Sequence, residues 1–222
     1  MRALPRLAVT VGCGLCLVGL SACSSADQTK TVSFEENSPV HTLVIKGQTG
    51  DIRVSDGGSA VSVTQKYSYQ TAEPVGSHTL ADGVLTLSYT CSDSNCGVDY
   101  TVQVPAGTAV DISSDSGNVT LSQLTAAVDV QIDTGEITAN GLSSSQVQLT
   151  AGSGDVKADF AKSPASLSAD VSTGNVSVSV PAGEYAVDAQ ATTGDVSVQV
   201  PREAGSGNTI TVKVGTGDVT VS

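Results

Sequence analysis

The pattern Ser/Thr-Gly-acid/Asn-Val/Ile occurs at seven places in this chain. The residues that follow these glycines are Asp51, Asn118, Glu136, Asp155, Asn175, Asp195 and Asp218. A row of carboxylates and amides could hold a hard cation such as calcium, which takes several oxygen ligands at once. Clustered carboxylates in a groove are also the catalytic groups of many enzymes that cleave polysaccharides. Calcium binding and glycoside hydrolysis are therefore the two chemistries that these residues could support.

Turn formation explains the acidic residues better than either chemistry. Asp and Asn favour tight turns because their side chains hydrogen-bond to nearby backbone, and here they recur with every repeat. The calcium-binding repeat Gly-Gly-x-Gly-x-Asp is absent, and both histidines, His41 and His78, precede the run of regularly spaced repeats. Nucleophilic triads have little support in this inventory. We predict no catalytic residue, no metal site and no cofactor, with the acidic side chains solvated along one edge.

The glycines of this pattern set the period of a repeat. They are Gly50, Gly117, Gly135, Gly154, Gly174, Gly194 and Gly217. The last six lie 18, 19, 20, 20 and 23 residues apart, and periods near twenty are typical of stacked repeat architectures. Glycine supplies the positive φ that such turns require.

Apolar residues flank each glycine at fixed distances, as they do around Gly135. Val128 and Val130 lie seven and five residues before it, and Ile137 and Ala139 lie two and four residues after it. Every second residue on both sides therefore points to one face, as in two strands joined by a turn. Such coils bury their apolar residues by stacking on one another. We predict an all-β, single-domain β-solenoid of about six to seven two-strand coils, each of roughly 20 residues.

Residues 56–107 interrupt the period and contain four of the five tyrosines in alternating polar and apolar segments. Turns are predicted at residues 81–83 and at residues 91–96. We expect antiparallel hairpins that cap the N-terminal end of the stack, because open strand edges promote aggregation. The alternative is a dedicated binding surface. At the other end of the chain, residues 219–222 stop inside a repeat and no polar cap is visible.

Two cysteines, Cys91 and Cys96, lie in this interrupting segment. An even pair in an exported domain predicts a disulfide, which would close a short loop at a hairpin tip and stabilise the fold by about 2 kcal/mol. The alternative is a redox or metal-binding pair. It is disfavoured because the spacing is not C-x-x-C and neither histidine is near in sequence.

The N-terminus has the form of an export signal, with two arginines, an apolar run over residues 7–20 and a small-residue cleavage site. The apolar run is shorter than the ~20 residues that span a bilayer. The ending Leu20-Ser21-Ala22-Cys23 resembles the bacterial lipoprotein signal, which implies that Cys23 is diacylated and becomes the new N-terminus. The alternative is an ordinary secretory peptide cut nearby.

These features divide the chain into three parts. Residues 1–22 are the predicted lipoprotein signal peptide, residues 23–31 a lipidated Cys23 and flexible polar tether, and residues 32–222 the folded domain. The full chain carries a net charge of −12, and loss of the two arginines in residues 1–22 leaves −14. Nucleic acid is therefore excluded as a partner class, and attachment to an anionic membrane depends on the two acyl chains.

The glycine turns, together with the Val-Pro-Ala-Gly segments at 104–107 and 180–183, resemble a family of bacterial envelope proteins known as the putative-adhesin domain family, a domain of unknown function. The resemblance covers residues 32–222. It implies a β-solenoid exposed outside the cytoplasmic membrane, and it carries no catalytic residue onto this sequence.

Two functional hypotheses follow. In the first, the chain is a non-enzymatic cell-envelope lipoprotein that binds a cell-wall polymer, a polysaccharide or another envelope protein through its flat polar faces. In the second, it is a regulatory or assembly partner that docks another envelope protein by strand addition on an uncapped C-terminal coil around residues 211–221. Both place it on the extracytoplasmic face of the cell membrane, held by its lipid.

Overall fold

The computed structural model describes residues 27–92 and 95–222, and every regular element in these two ranges is a β-strand. No helix long and apolar enough to cross a membrane occurs in them. The strands are β1 (Gln28–Glu36), β2 (Thr42–Lys46), β3 (Ile52–Asp56), β4 (Val61–Tyr69), β5 (Val75–Ala81), β6 (Val84–Thr90), β7 (Cys96–Val104), β8 (Ala109–Ser116), β9 (Val119–Ser122), β10 (Val128–Thr134), β11 (Ile137–Leu142), β12 (Gln146–Ser153), β13 (Val156–Phe160), β14 (Ser166–Thr173), β15 (Val176–Ser179), β16 (Ala186–Thr193), β17 (Val196–Val198), β18 (Thr209–Thr216) and β19 (Val219–Val221).

The strands form two sheets that face each other across a narrow core. The first sheet has the order β1-β4-β7-β3-β9-β11-β13-β15-β19-β17, and the second has the order β16-β18-β14-β12-β10-β8-β2-β6-β5. Each coil contributes one strand to each sheet, and like strands of successive coils pair in parallel, as Val128 does with Val147 and Ile137 with Val156. The predicted all-β solenoid is confirmed.

Alternating burial explains why the coils stack. Along β10 and β12, every second side chain is buried and the intervening ones face solvent. The core is built almost entirely from Val, Ile, Leu and Ala side chains, most of them under 2% exposed. Burial of each such aliphatic side chain contributes about 1.5 to 3 kcal/mol. Because the inward positions of every coil are apolar, each coil completes the core of its neighbours.

The described residues contain eight coils, one more than the seven glycine turns predict. The additional coil is formed by β6 and β7, which belong to different sheets. Leu85 of β6 lies beside Leu43 of β2, and Tyr100 of β7 lies beside Ile52 of β3. The prediction that residues 91–96 form a hairpin tip is therefore wrong. The chain instead leaves the second sheet at β6 and enters the first sheet at β7, as it changes sheet at each glycine turn.

The N-terminal end of the stack is closed by antiparallel strands. β4 pairs with β7 and β1 pairs with β4 in the first sheet, while β5 pairs with β6 in the second through a turn at Asp82 and Gly83. The rings of Phe34 on β1 and His78 on β5 stack at 4.3 Å across the gap between the sheets. This arrangement is a cap. Its strand β1 begins at Gln28, inside the segment expected to be a flexible tether and before the predicted domain start at residue 32.

The coils at both ends are not stacked in sequence order. The first coil, β2 and β3, lies between the coil of β6 and β7 and the coil of β8 and β9. The last coil, β18 and β19, lies between the coil of β14 and β15 and the coil of β16 and β17. The hypothesis of an uncapped C-terminal coil at residues 211–221 is therefore wrong, because both of its strands are already paired on both sides. The coil at this end is that of β16 and β17.

Candidate surface-binding site

The turn glycines lie directly above one another along one side of the stack. Each has φ between 129° and 143°. A Cβ atom on Gly117 would overlap the carbonyl oxygen of Gly50, and a Cβ atom on Gly154 would overlap that of Gly135. The same overlap exists at the remaining glycines of the series. Both the positive φ and the close approach of the next coil therefore require glycine here.

The residues after these glycines form a chain of hydrogen bonds from coil to coil, which we term the turn row. Asn118 donates its backbone N–H to Asp51 Oδ1 at 3.1 Å, and Glu136 donates its own to Asn118 Oδ1 at 2.9 Å. The equivalent bonds run from Asn175 to Asp155, from Asp218 to Asn175 and from Asp195 to Asp218, at 2.8 to 2.9 Å. Each such bond contributes about 1 kcal/mol. These side chains are exposed, as predicted, but they also hold the coils together.

One position of the turn row departs from this scheme. The Glu136 side chain is too long for a tight turn bond and instead accepts hydrogen bonds from Lys157 Nζ at 2.8 Å and from Thr138 Oγ1 at 3.0 Å. The Lys157 bond lowers the pKa of Glu136 below its ordinary value, and Thr138 adds to this effect. In the described residues, no group of three or more His, Cys, Asp or Glu side chains is arranged to hold a metal ion.

The other predicted residues lie apart from this row or outside the described ranges. Cys91 and Cys96 form a disulfide, with their Cα atoms 5.9 Å apart, at the turn of the coil of β6 and β7. This disulfide lies in extra residues just before Val98, which takes the place of the turn glycine by strand register and donates its N–H to Thr49 O of the neighbouring turn at 2.9 Å. The predicted lipid site, Cys23, lies outside the described residues.

A shallow groove of about 390 Å³ lies on the outer face of the second sheet, where it crosses β8, β10, β12 and β14. Asp111, Asp129, Gln148 and Ser168 point outward from these strands in one row, because each pairs in register with the next. Neighbouring members of the row are about 4.8 Å apart. The apolar side chains that reach the surface of the groove are those of Ala109 and Ala127, whereas Val110 and Val128 face the core beneath it. We term this surface the sheet groove.

The side chains of the sheet groove are not used by the fold. None of the four row residues hydrogen-bonds through its side chain to another protein group within residues 27–92 and 95–222. The groove partly screens Asp129 from water, which raises the pKa of its carboxyl above the ordinary value, and the adjacent Asp111 raises it further. The row therefore offers two carboxylates, an amide and a hydroxyl to a ligand.

This geometry suits binding better than bond cleavage. The two carboxylates of a glycosidase flank the scissile bond, whereas Asp111 and Asp129 project side by side from neighbouring strands of one flat sheet. A polymer laid along the row would meet one polar side chain at each strand. The regular spacing favours a repeating ligand rather than a single small molecule.

Sequence reasoning did not identify the sheet groove. It interpreted the residues after the turn glycines as turn chemistry and named the flat polar faces as a binding surface without choosing residues on them. The signal was present but weak, because Asp111 and Asp129 occupy the same place in their repeats, six residues before Gly117 and Gly135. Gln148 and Ser168 lie six residues before Gly154 and Gly174 and extend the same row, but neither is charged.

Comparisons with known proteins agree with this architecture. Residues 17–222 match the family model described as Toastrack DUF4097. A solved structure of a putative adhesin from Bacteroides fragilis is 12% identical, with a TM-score of 0.52, and the alignment covers 87% of this chain and 97% of that one. A putative cell adhesion protein from Clostridium sporogenes is 14% identical, with a TM-score of 0.49 and coverage of 88% and 99%. No curated protein matches this chain. At 12% identity the Bacteroides structure shows a shared fold.

Proposed function

We propose that this chain, which belongs to the Toastrack DUF4097 family, is a non-enzymatic binding module on the extracytoplasmic face of the cell membrane. A diacyl group on Cys23 holds it there, since two acyl chains anchor a protein stably without further contacts. The support for this address is the Leu20-Ser21-Ala22-Cys23 motif at the end of the apolar run. The solved structures named as adhesins share the fold and are compatible with a surface role.

The observation that carries the binding role is the contrast between two sets of polar side chains. The acids and amides of the turn row are committed to hydrogen bonds between coils. The four side chains of the sheet groove are not, although they are also aligned from coil to coil. Because these four side chains make no hydrogen bonds to other protein groups in the described residues, they are available to bind a ligand.

The ligand that fits best is a hydroxyl-rich polymer of the envelope, such as a wall polysaccharide. Carboxylates accept hydrogen bonds from hydroxyl groups, the amide of Gln148 both donates and accepts, and the hydroxyl of Ser168 does the same. Ala127 beside them offers a small apolar contact to the less polar face of a sugar ring. The net charge of −12 disfavours polyanionic polymers, so a neutral polysaccharide is the expected class.

Binding of the full chain to wall polysaccharide from the producing cell tests this proposal. Asp129→Asn is the test variant and Asp133→Asn is its matched control, since both residues face outward from β10 and only Asp129 lines the sheet groove. We expect the test variant to weaken binding at least tenfold and the control to bind like the parent. Equal binding by both variants, or no binding by the parent chain, would refute the groove as the site.

The lipid anchor needs a separate test. In the producing cell, the full chain should fractionate with membranes, and a Cys23→Ala variant should be released or remain unprocessed. Mass spectrometry of the N-terminal peptide should show a diacylglyceryl group on Cys23. A soluble parent chain with an unmodified Cys23 would contradict the proposed attachment while leaving the groove test unaffected.

A further inference from the structure

The coil of β16 and β17, which we term the open end, leaves part of its core uncovered. Val196 is 41% exposed, whereas Val219, at the same position one coil inward, is 1% exposed. Val187, Ala189 and Ala191 are only half-buried. The apolar columns that run through the whole stack therefore end at a surface open to solvent.

Unpaired backbone groups accompany this apolar surface. Ala186 donates its N–H toward β18, through Asn208 O at 2.9 Å. Since successive residues of a strand direct their backbone groups to opposite sides, Val187, Ala189 and Ala191 present theirs away from β18. Residues 201–203 pair with Tyr185 and so cover only the beginning of this strand edge.

The two ends of the stack differ in how their strand edges are protected. At the N-terminal end, β1 carries Lys30 and two glutamates, and Phe34 meets His78 across the gap between the sheets. Such charges and cross-sheet contacts are the usual protection against further strand pairing. At the open end, β16 carries one charged residue, Asp188, and β17 carries none. Further pairing is therefore favoured at one end only.

We propose that two copies of this chain pair through their open ends, related by a two-fold axis perpendicular to the sheets. This axis reverses the strand direction, so β16 pairs antiparallel with β16 of the second copy while β17 pairs with its own counterpart. The contact is self-complementary and closed, as in most homodimers. Because the opposite end is capped, the assembly stops at two and does not form a fibre.

Repulsion between carboxylates and steric overlap with residues 201–203 determine the register in which the two copies of β16 pair. With Gln190 on the axis, Asp188 lies opposite Thr192 of the second copy, and Ala189 lies opposite its Ala191. A register centred on Asp188 would place two carboxylates directly opposite, which is destabilising. The register centred on Gln190 also keeps the second copy away from residues 201–203, which occupy the edge beside Tyr185. In β17 the same two-fold axis places Val196 opposite Val198 of the second copy.

Sedimentation of the full chain, extracted in detergent from the producing cell, tests the association. We expect a dimer for the parent chain and a monomer for Val196→Lys, which places a charge at the open end. Val75→Lys is the matched control, because Val75 is 64% exposed on β5 at the capped end, and it should remain dimeric. Retention of the dimer by Val196→Lys, or a monomeric parent, would overturn the proposal. A series of higher oligomers would overturn the two-fold arrangement.

A single cysteine tests the geometry independently of any effect on folding. Across the proposed axis the two copies of Gln190 form a non-hydrogen-bonded antiparallel pair, with Cα atoms about 4.5 Å apart, within the range of a disulfide. Gln190→Cys should give a covalent dimer on a non-reducing gel of whole cells. Lys213→Cys is the control, since Lys213 pairs with Gln190 one coil inward, about 14 Å from its copy. Equal crosslinking by both, none by Gln190→Cys, or crosslinking to a different protein would refute the pairing.

Discussion

Asp218 Oδ1 accepts a hydrogen bond of 2.8 Å from the backbone N–H of Asp195, a residue that precedes it by 23 positions. In the other bonds between members of the turn row the donor comes later in the sequence than the acceptor, as with Asn175 and Asp155. The direction is reversed because the last coil lies between the coil of β14 and β15 and the coil of β16 and β17, which precedes it in sequence. The burial of Val219, the exposure of Val196, the strand order and the contact of Gly194 with Gly217 all show that the last two coils are exchanged. At the other exchanged coil, that of β2 and β3, Asp51 likewise donates its N–H to a later residue, Asp99, at 2.9 Å.

The stack order predicts that two identical substitutions lower the stability of the protein by unequal amounts. Val219→Ala removes a buried side chain and should lower the free energy of unfolding by about 2 to 3 kcal/mol. In the dilute, monomeric chain, Val196→Ala, one coil outward in the same column, should lower it by less than about 1 kcal/mol because this valine is 41% exposed. Chemical denaturation measures both values. If Val196→Ala proved the more damaging substitution, the coils would be stacked in sequence order.

Substitution of a turn glycine should be severely destabilising for two separable reasons. Gly154→Ala introduces a side chain at φ 134° and drives its Cβ into the carbonyl oxygen of Gly135. We expect a loss of about 3 kcal/mol or more in the free energy of unfolding. Gly57→Ala is the control, because Gly57 has φ 136° but no atom within 4 Å of the added Cβ, and it should cost only about 1 to 2 kcal/mol. Equal costs would show that the approach of the coils does not contribute.

The raised pKa of Asp129 predicts a pH-dependent difference in stability. Burial in the sheet groove, and then the Asp111 charge, raise this pKa above its ordinary value of 3.8. The folded protein thus binds the proton more tightly than the unfolded chain, so the stability from this group is present below pH 3.8 and is lost as the pH rises through the raised pKa. The parent should lose stability relative to Asp129→Asn over that window.

Denaturation of both proteins at a series of pH values from about 3 to about 7 measures this difference, and Asp111→Asn separates its two causes. Removal of the Asp111 charge should lower the pKa of Asp129 while burial still holds it above the ordinary value. Parallel stability curves for the parent and Asp129→Asn would contradict the burial of this carboxyl. An unchanged Asp129 titration in the Asp111→Asn variant would contradict the coupling of the two groups.

The sequence was sufficient for the coil but not for the order of the coils. The positions around Gly135 show the two alternating strands and the turn, because local backbone geometry and burial determine them. The repeats at Gly194 and Gly217 have the same local pattern, so either could occupy the end of the stack. The one local signal was the 23-residue separation between Gly194 and Gly217, the longest among the last six turn glycines. The additional residues form the segment that passes outside β16.

The coil of β6 and β7 was missed for a different reason. Its turn contains a disulfide and has Val98 in the place of the turn glycine, so it lacks the residue by which the other turns were recognised. Its apolar residues still alternate, with Leu85 and Leu87 before the turn and Tyr100 and Val102 after it. However, 15 positions separate Leu85 from Tyr100, whereas nine separate the equivalent Leu43 and Ile52. The row of the sheet groove could be derived from the alignment of the turn glycines, but the absence of hydrogen bonds from its side chains could not, because that depends on which side chains surround the row in the folded protein.

The exchanged coils constrain how proteins of this architecture change in length during evolution. In an ordinary solenoid, a duplicated repeat can be appended at either terminus because the terminal repeat contacts only one neighbour. Here the first and the last coil are each enclosed by two others, so a repeat appended beyond either one would have no free strand edge to extend. Gain or loss of repeats is expected in the middle of the stack, among the coils from β8 to β15, where sequence order and spatial order agree.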